Sequence, residues 1–310
     1  MSNPEVSVFV PALNEKENIH PLVSKIARTF SDHDIDGEVV LVNDGSTDGT
    51  GDEADRAAVQ YDFVQVVHHR TNLGLTEAFR TAFQHVRGDV IVFLPADLES
   101  DPEEDIPLLL SEIRKGFDMV VGWRQGRRDV KIVASKIYNF VCRLLFHVSA
   151  HDLNWIKAFR RVLIENLPLR SDWHRYIYML AASHGYKVTE VKTGYHPRRH
   201  GKSKYGLMRI PISFLDVIGL KFQLVFSQKP LLFFGGLGSI LIGVSLIFGV
   251  IFLVQWFTRT FHFRPIVLLA TMLFLSGVQL FITGFLAELI VAQRDKIEHL
   301  EKELKHRSRT

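Results

Sequence analysis

Residues 90–100 read VIVFLPADLES. Five apolar residues, Val90 to Leu94, stop at Pro95, and two carboxylates follow, Asp97 and Glu99, with Leu98 between them. A short apolar run rich in β-branched residues and closed by proline reads as a strand, because proline lacks the N–H that would continue the ladder. The acids after it fit either of two readings, a metal site or the acidic start of the next helix.

Upstream, the same pattern recurs. Val6 to Val10 is a strand ending at Pro11, Ile19 to Phe30 has helical spacing, and Glu38 to Val42 is a strand stopping at Asn43 and Asp44. A helix, a strand near Phe63 to Val67 and a helix over Leu75 to Val86 lead back to Val90. A βαβα series of this kind predicts an α/β fold, a mostly parallel sheet with helices on both faces. Such sheets bind ligands beyond the carboxyl ends of their strands, which here carry PALNEKEN, NDGSTDGT and PADLES. Pro11 to Asn18 contains no glycine, so the G-x-G-x-x-G of a dinucleotide site is absent after the first strand and NAD-type chemistry is disfavoured. In NDGSTDGT, Gly45, Ser46, Thr47 and Gly49 read as a turn and a helix start. Asp44 stands apart, since a carboxylate at a strand end can accept two hydrogen bonds from a base or ribose.

Asp101, Pro102, Glu103 and Glu104 read as an N-cap, a first-turn proline and an acidic first turn, with Glu104 placed to close a capping box. The helix-start reading therefore absorbs the acids after Ser100 and leaves Asp97 and Glu99 unexplained by it.

The second half of the 310-residue chain changes character. Leu231 to Phe257 carries no formal charge, and Ile266 to Ala292 carries only Glu288. Each run exceeds the ~20 residues a helix needs to cross a bilayer, so two spans are expected at 231–257 and 266–292. Gly235, Ser239 and Gly243 recur every four residues and would let a second helix approach closely. The tail after Ala292 carries Arg294, Lys296, Lys302, Lys305, Arg307 and Arg309, which places both termini on the cytoplasmic side of an inner (plasma) membrane as an expectation; Met1 to Glu5 shows no apolar signal segment. The expected division is a cytoplasmic catalytic domain over 1–206, interfacial amphipathic helices over 207–230, the two spans, and a basic helical tail over 293–310.

Net charge is +3 and gives no case for nucleic acid. Positive charge is local, in Arg124, Arg127, Arg128 and Lys131 and in Arg198, Arg199, Lys202 and Lys204; such clusters serve as solvated faces, anionic-lipid contacts or phosphate binders. Cys142 is the sole cysteine, which rules out an intramolecular disulfide and reads as a small core residue. Among the 14 histidines, His147 with His151 and His196 with His200 have i, i+4 spacing, but no third ligand accompanies them.

VSVFVPALNEKENI, VLVNDGSTDGT, NLGLTEAFRTAF, DVIVFLPADLESDPE and DMVVGWR resemble, in that order, the motifs of family 2 glycosyltransferases with the GT-A fold. DLNWIKAFRR and RRHGKSKYG resemble the D-x-x-x-G-F-[RK]-A-[YF]-[RK]-R and R-x-x-G-x-S-K-[LY]-G segments of its polyprenyl-phosphate branch, which includes dolichyl-phosphate mannose synthase. The resemblance covers almost the whole chain. It implies inverting transfer of one sugar from a nucleotide-diphosphate sugar, a UDP-sugar slightly preferred over GDP-mannose, to a polyprenyl phosphate at the cytoplasmic membrane face. It implies nucleotide contacts from Pro11, Ala12, Asn14, Glu15, Asp44 and Asp97, and catalytic roles for Asp97, Glu99 and Arg124. Asp97 and Glu99, facing one way from an extended segment, would share a Mg²⁺ or Mn²⁺ ion with the diphosphate. Phosphate and acceptor contacts would come from Arg124, Arg128, Lys131, Asp152, Arg198 and Lys204, Asp152 serving either there or structurally. Trp155 would stack on the sugar or pack. The spans would anchor the chain in the bilayer and offer a route to a homo-oligomer.

The chain departs from the family's D-A-D-L-Q metal motif: Pro95 replaces the first Asp, and Glu99 stands where Gln is frequent. Two alternatives stand beside the main expectation. A processive polysaccharide synthase would carry Q-x-x-R-W, and none of Trp123, Trp155, Trp173 or Trp256 sits in that context. A catalytically silent, nucleotide-binding membrane scaffold is the other, supported by Pro95.

Overall fold

The computed structural model describes residues 3–126, 131–146, 148–166, 176–198, 217–219, 221–222, 229–258 and 265–307; the side chains of 131–137, 165–166, 295, 298–299 and 301–307 are outside the description. The chain divides into two compact units, 1–210 and 211–310.

The first unit is built on a seven-stranded sheet of order β3-β2-β1-β4-β6-β5-β7. Its strands are β1 (Val6–Ala12), β2 (Gly37–Asn43), β3 (Val64–His68), β4 (Val90–Phe93), β5 (Met119–Arg124), β6 (Lys157–Arg160) and β7 (Val188–Thr193). Strands β1 to β4 pair in parallel, as the alternating pattern predicts, and β5 pairs in parallel with β7. Strand β6 enters between β4 and β5 antiparallel to both. Helices α1 (Lys16–Asp32), α2 (Thr50–Gln60), α3 (Leu75–His85), α4 (Pro102–Arg114), α5 (Lys131–Phe146), α6 (Arg161–Asn166) and α7 (Ile177–Ser183) complete the unit.

Period-2 alternation sorts β1 between two cores. Val6, Val8, Val10 and Ala12 join Ile19, Leu22, Val23 and Ile26 of α1 and Ile106, Leu109 and Leu110 of α4 in one buried cluster. Phe9 faces the other way, 4.7 Å from Phe79 of α3 and 5.7 Å from Phe93, centroid to centroid. At the edge remote from the strands' carboxyl ends, the buried Glu38 accepts from Ser7 Oγ (2.7 Å), Arg87 N (2.6 Å) and Arg87 Nε (2.8 Å). That end is pinned; the carboxyl end is left for chemistry.

Helix α4 starts where its acidic turn predicts, with Pro102 in the first turn and the Asp101 side chain accepting from Glu103 N at 3.1 Å. The return bond of the cap differs from expectation: Asp105, not Glu104, accepts from Asp101 N at 3.1 Å. Asp105 is fully buried, and burial first, then the neighbouring Glu104 and Asp101 charges, push its pKa up to about 7 against the single backbone bond that lowers it.

The second unit contains α8 (Pro230–Phe257) and α9 (Pro265–Arg307), both long and apolar enough to cross a membrane, the span of α9 reaching Arg294. The charged tail continues α9 as one helix to Arg307. The two pack through glycines. A Cβ on Gly238 would lie 2.6 Å from Gly277 O, and one on Gly277 2.7 Å from Gly238 O, closer than real contacts allow. Ser245 Oγ donates to Ala270 O at 2.7 Å. The expected stripe of Gly235, Ser239 and Gly243 is therefore corrected: the seam runs through Gly235, Gly238 and Ser245, while Ser239 is exposed, because the helical face turns by 3.6 residues rather than 4. Glu288 is also explained, since its Oε2 accepts from Leu231 N (3.2 Å) and so satisfies an orphan donor in the first turn of α8. Most of the interfacial stretch expected at 207–230 lies outside the described residues.

Two predictions follow from the packing. Asp105 binds its proton more tightly folded, at about 7, than unfolded, near 3.8, so it costs stability progressively as pH rises through that window and fully above it. Asp105→Asn is expected to stabilise the protein by on the order of 2 kcal/mol at pH 8 and to have little effect at pH 4, read from thermal unfolding in detergent at both values; equal effects at the two values would contradict this. Replacing Gly238 with Leu is expected to force α8 and α9 apart, abolishing the crosslink that a Ser245→Cys, Ala270→Cys pair forms in the otherwise native chain.

Candidate active site

The loops after β1 and β2 are laced together by side chains chosen for turns. Asn14, at φ 51°, adopts the left-handed backbone that Asn tolerates. Its Oδ1 accepts from Thr47 N at 2.8 Å, while Asn14 N donates to Ser46 Oγ at 3.0 Å. Glu15 N donates to Thr50 Oγ1 at 2.9 Å, and Glu15 Oε2 accepts from Asn18 Nδ2 at 2.7 Å. Pro11 is half-buried and Ala12 buried, forming the strand end from which this loop departs.

Asp44, buried behind that loop, holds a third one. Its Oδ1 bonds His69 Nδ1 and accepts from Leu73 N, each at 2.8 Å, and its Oδ2 accepts from Gly74 N at 2.9 Å. His69 Nε2 in turn meets Thr81 Oγ1 at 2.8 Å. The expectation placed Asp44 on a base or ribose; the structure gives both its oxygens to the 69–74 loop. His69 is the residue to which the sequence reading gave no role, and its position two residues ahead of TNLG is the available signal.

Beyond β4, Leu94 N still bonds Phe9 O at 3.0 Å, so the chain leaves the sheet at Pro95. Asp97 and Glu99 do converge, but by a turn rather than an extended segment. Leu98 has φ 54°, and Asp97 Oδ1 accepts from Glu99 N at 3.2 Å. A leucine in the left-handed region costs on the order of 1 kcal/mol or more, and such strain concentrates at functional sites. Between the two carboxylates lies one guanidinium: Arg198 Nη2 donates to Asp97 Oδ2 at 2.5 Å and Nε to Glu99 Oε1 at 2.7 Å. Burial works against the Arg198 charge, yet Asp97, Glu99 and, farther off, Glu15 outweigh it and hold its pKa above the ordinary arginine range. His196 N donates to Glu99 O at 2.9 Å, which lays the segment carrying Arg198 alongside the turn.

A second guanidinium stands at the end of β5. Arg124 grips Asp152 with Nε to Oδ2 at 2.6 Å and Nη2 to Oδ1 at 3.1 Å, and lies over the Trp155 ring at 4.5 Å. Trp155 is buried and donates through Nε1 to Thr193 Oγ1 at 3.2 Å, so it packs. Gly122 makes room for it: a Cβ there would lie 2.8 Å from the indole and 2.7 Å from Ile156. Asp152 thus has an identifiable role, fixing Arg124's fork in one orientation. Lys157, 3% exposed, sits opposite Phe93 in the register with its Nζ 5.5 Å from that ring. Burial lowers its pKa to about 8, against the opposing pull of Asp152.

Of the other basic positions, Arg128 and Lys204 lie outside the described residues, as does the side chain of Lys131. Among the described residues no three His, Cys, Asp or Glu side chains form a metal-holding group. Asp97 and Glu99 alone would supply two hard oxygen ligands. Their fit to a divalent cation is tested by what already stands between them, a bridging positive charge, and a two-carboxylate set leaves the remaining positions for substrate phosphates, as Mg²⁺ sites commonly do.

Residues 7–176 match the family model described as Glycosyl transferase family 2. The dodecaprenyl-phosphate galacturonate synthase of Rhizobium johnstonii is 31% identical over 299 residues, covering 92% of this chain and 87% of that protein. The undecaprenyl-phosphate 4-deoxy-4-formamido-L-arabinose transferase of Aeromonas hydrophila subsp. hydrophila is 30% identical over 294 residues, covering 92% and 88%. Among solved structures, glucosyl-3-phosphoglycerate synthase from Mycobacterium tuberculosis in complex with Mn²⁺, UDP and glucosyl-3-phosphoglycerate shares the fold, with a TM-score of 0.56 at 22% identity over 71% of this chain and 80% of that one.

Asp44→Ala would strand two backbone donors and an imidazole. Amide exchange across 70–76 is expected to accelerate by about one to two orders of magnitude while β1 and β4 stay protected, as hydrogen exchange with mass spectrometry would read; unchanged protection would deny Asp44 its hold on the loop.

Proposed function

The chain belongs to glycosyl transferase family 2, and from that premise we propose that this glycosyltransferase moves one sugar, with inversion, from a nucleotide-diphosphate sugar to a polyprenyl phosphate at the cytoplasmic face of a membrane. The observation that carries the proposal is one chain holding two things: a carboxylate pair and two oriented guanidiniums at the carboxyl edge of an α/β sheet, and two helices fit to cross a bilayer. The two relatives, named for dodecaprenyl and undecaprenyl phosphate and similar over 92% of this chain, support the lipid acceptor. A UDP-sugar is the preferred donor class, consistent with the UDP named for the structural neighbour.

The chemistry asks for charge control rather than a strong base. An acceptor phosphate is already ionised near neutral pH, so its oxygen attacks the anomeric carbon directly as the bond to the diphosphate breaks and the nucleoside diphosphate departs with the electron pair. Two anions must be held close together, and the leaving one stabilised. Asp97 and Glu99 would hold a Mg²⁺ or Mn²⁺ ion, which when bound supplies positive charge at the leaving diphosphate. Arg124, locked by Asp152 through Nε and Nη2 and by Trp155, keeps its remaining Nη donors preoriented for a phosphate, and preorientation is what makes such donors effective in a transition state. Arg198, which bridges the two carboxylates in this structure, supplies a second cation that can pair with a phosphate. The loops 12–16 and 44–50, laced to each other, cradle the nucleotide.

Purified enzyme given UDP- and GDP-sugars, Mg²⁺ or Mn²⁺ and a polyprenyl phosphate is expected to yield a lipid-linked sugar, and Asp97→Ala to lose on the order of 10²-fold or more of that turnover. Nucleotide-sugar binding without turnover across the whole panel would instead favour a silent scaffold.

A further inference from the structure

We propose that Arg198 is the resident counter-cation of the Asp97–Glu99 pair, and that a divalent cation and the Arg198 guanidinium compete for the same two carboxylates. The identity of the phosphate ligand that receives Arg198 rests on the function proposed above; the competition itself rests on geometry.

The available oxygens decide it. Asp97 is 7% exposed, and its Oδ1 is turned to the backbone N–H of Glu99 at 3.2 Å, which leaves Oδ2 as the oxygen directed away from its own turn. Arg198 Nη2 holds that oxygen at 2.5 Å, and Nε of the same guanidinium holds Glu99 Oε1 at 2.7 Å. The bridge takes one oxygen from each carboxylate. Whichever oxygen of Glu99 it takes, a cation shared by the two residues needs Asp97 Oδ2, the oxygen that Arg198 Nη2 holds, so cation and bridge contend for that atom. Glu15 adds a further attraction for the guanidinium.

Electrostatics explains why the bridge exists. Two carboxylates two residues apart, largely withdrawn from water, repel one another and lose solvation; a single delocalised cation relieves both costs. Arginine suits the post because its fork spans two acceptors and stays charged. Expelling it is unfavourable unless it finds another anion. A diphosphate or phosphate oxygen is such an anion, so the cation and the phosphate ligand bind with positive coupling: each makes room for, or gives a destination to, what the other displaces. Coupling of this kind is reciprocal. It also gives the free enzyme a reason not to hold a tightly bound ion without its donor, since the carboxylates are already neutralised.

The test measures Mn²⁺ binding to the full-length protein in detergent, without nucleotide, sugar or lipid acceptor, by the loss of the free-ion electron paramagnetic resonance signal. Arg198→Gln is expected to bind Mn²⁺ about tenfold more tightly than the native chain, within the ordinary range of site coupling. Arg198→Lys keeps the charge but not the two-pronged bridge, and is expected to fall between the two. Adding Asp97→Asn to Arg198→Gln is expected to remove the gain, which locates the ion at this pair. Native-like affinity in Arg198→Gln would overturn the competition. Tightening in Arg198→Gln with Arg198→Lys identical to native would assign the effect to net charge alone and overturn the bridge. Failure of sugar transfer in the donor panel would leave these affinities untouched, so the two ideas fail separately.

Discussion

The withdrawal of Asp97 and Glu99 from water is the constraint on which the site depends. A buried carboxylate left without a partner costs about 3 to 5 kcal/mol, and here the buried Asp97 has the half-buried Glu99 beside it. The chain meets that cost locally, with a left-handed Leu98 that brings the pair together and an arginine a hundred residues away in sequence that neutralises it. Everything around the turn serves to keep it aimed. Strand β4 is hydrogen-bonded to β1 up to Leu94, α4 is capped immediately after Ser100, and His196 N holds the Glu99 carbonyl from the far side.

Arg124 shows the same logic with a different outcome. Its carboxylate partner, Asp152, is not part of a convergent acid pair, and both its oxygens are taken by the one guanidinium. Trp155 lies under the guanidinium and is tied to Thr193, and Gly122 leaves the gap that the indole fills. One arginine is therefore fixed on a single carboxylate and the other is shared between two. Under the proposed transfer, a site holding two phosphate groups near a reacting carbon would use both kinds, a rigid guanidinium and a charge that can change partners. The opposite edge of the sheet, closed by Glu38, Ser7 and Arg87, carries no such tension.

Much of this was legible in the residues. The alternation of apolar strands and amphipathic helices gives the parallel half of the sheet, because burial on both faces imposes continuous apolar runs of strand length. The antiparallel insertion of β6 between β4 and β5 is not local information; its partners lie 64 to 70 residues away in β4 and 36 to 40 in β5, and Lys157 in its first position would have argued against a central strand. Asp97 and Glu99 stand out because no cap or turn requires them, yet their convergence through Leu98 was invisible, since leucine gives no sign of a left-handed backbone. Asp44 was recognisable as special, but its three donors come from a loop 25 to 30 residues downstream. The pair of helices long and apolar enough to cross a membrane was readable from length and charge alone. Its glycine seam was not, because phase along a helix decides which small residues meet.

The central claim is that the turn after β4 holds a cation-binding pair whose charge is carried by Arg198 until a phosphate ligand arrives. The most direct measurement is a crystal structure of the protein with Mn²⁺ and a nucleoside diphosphate, with the ion located by its anomalous scattering. The account predicts an anomalous peak between Asp97 and Glu99, with the Arg198 guanidinium moved off both carboxylates and onto a phosphate oxygen. A peak elsewhere, or an Arg198 still bridging the pair beside a bound ion, would contradict it.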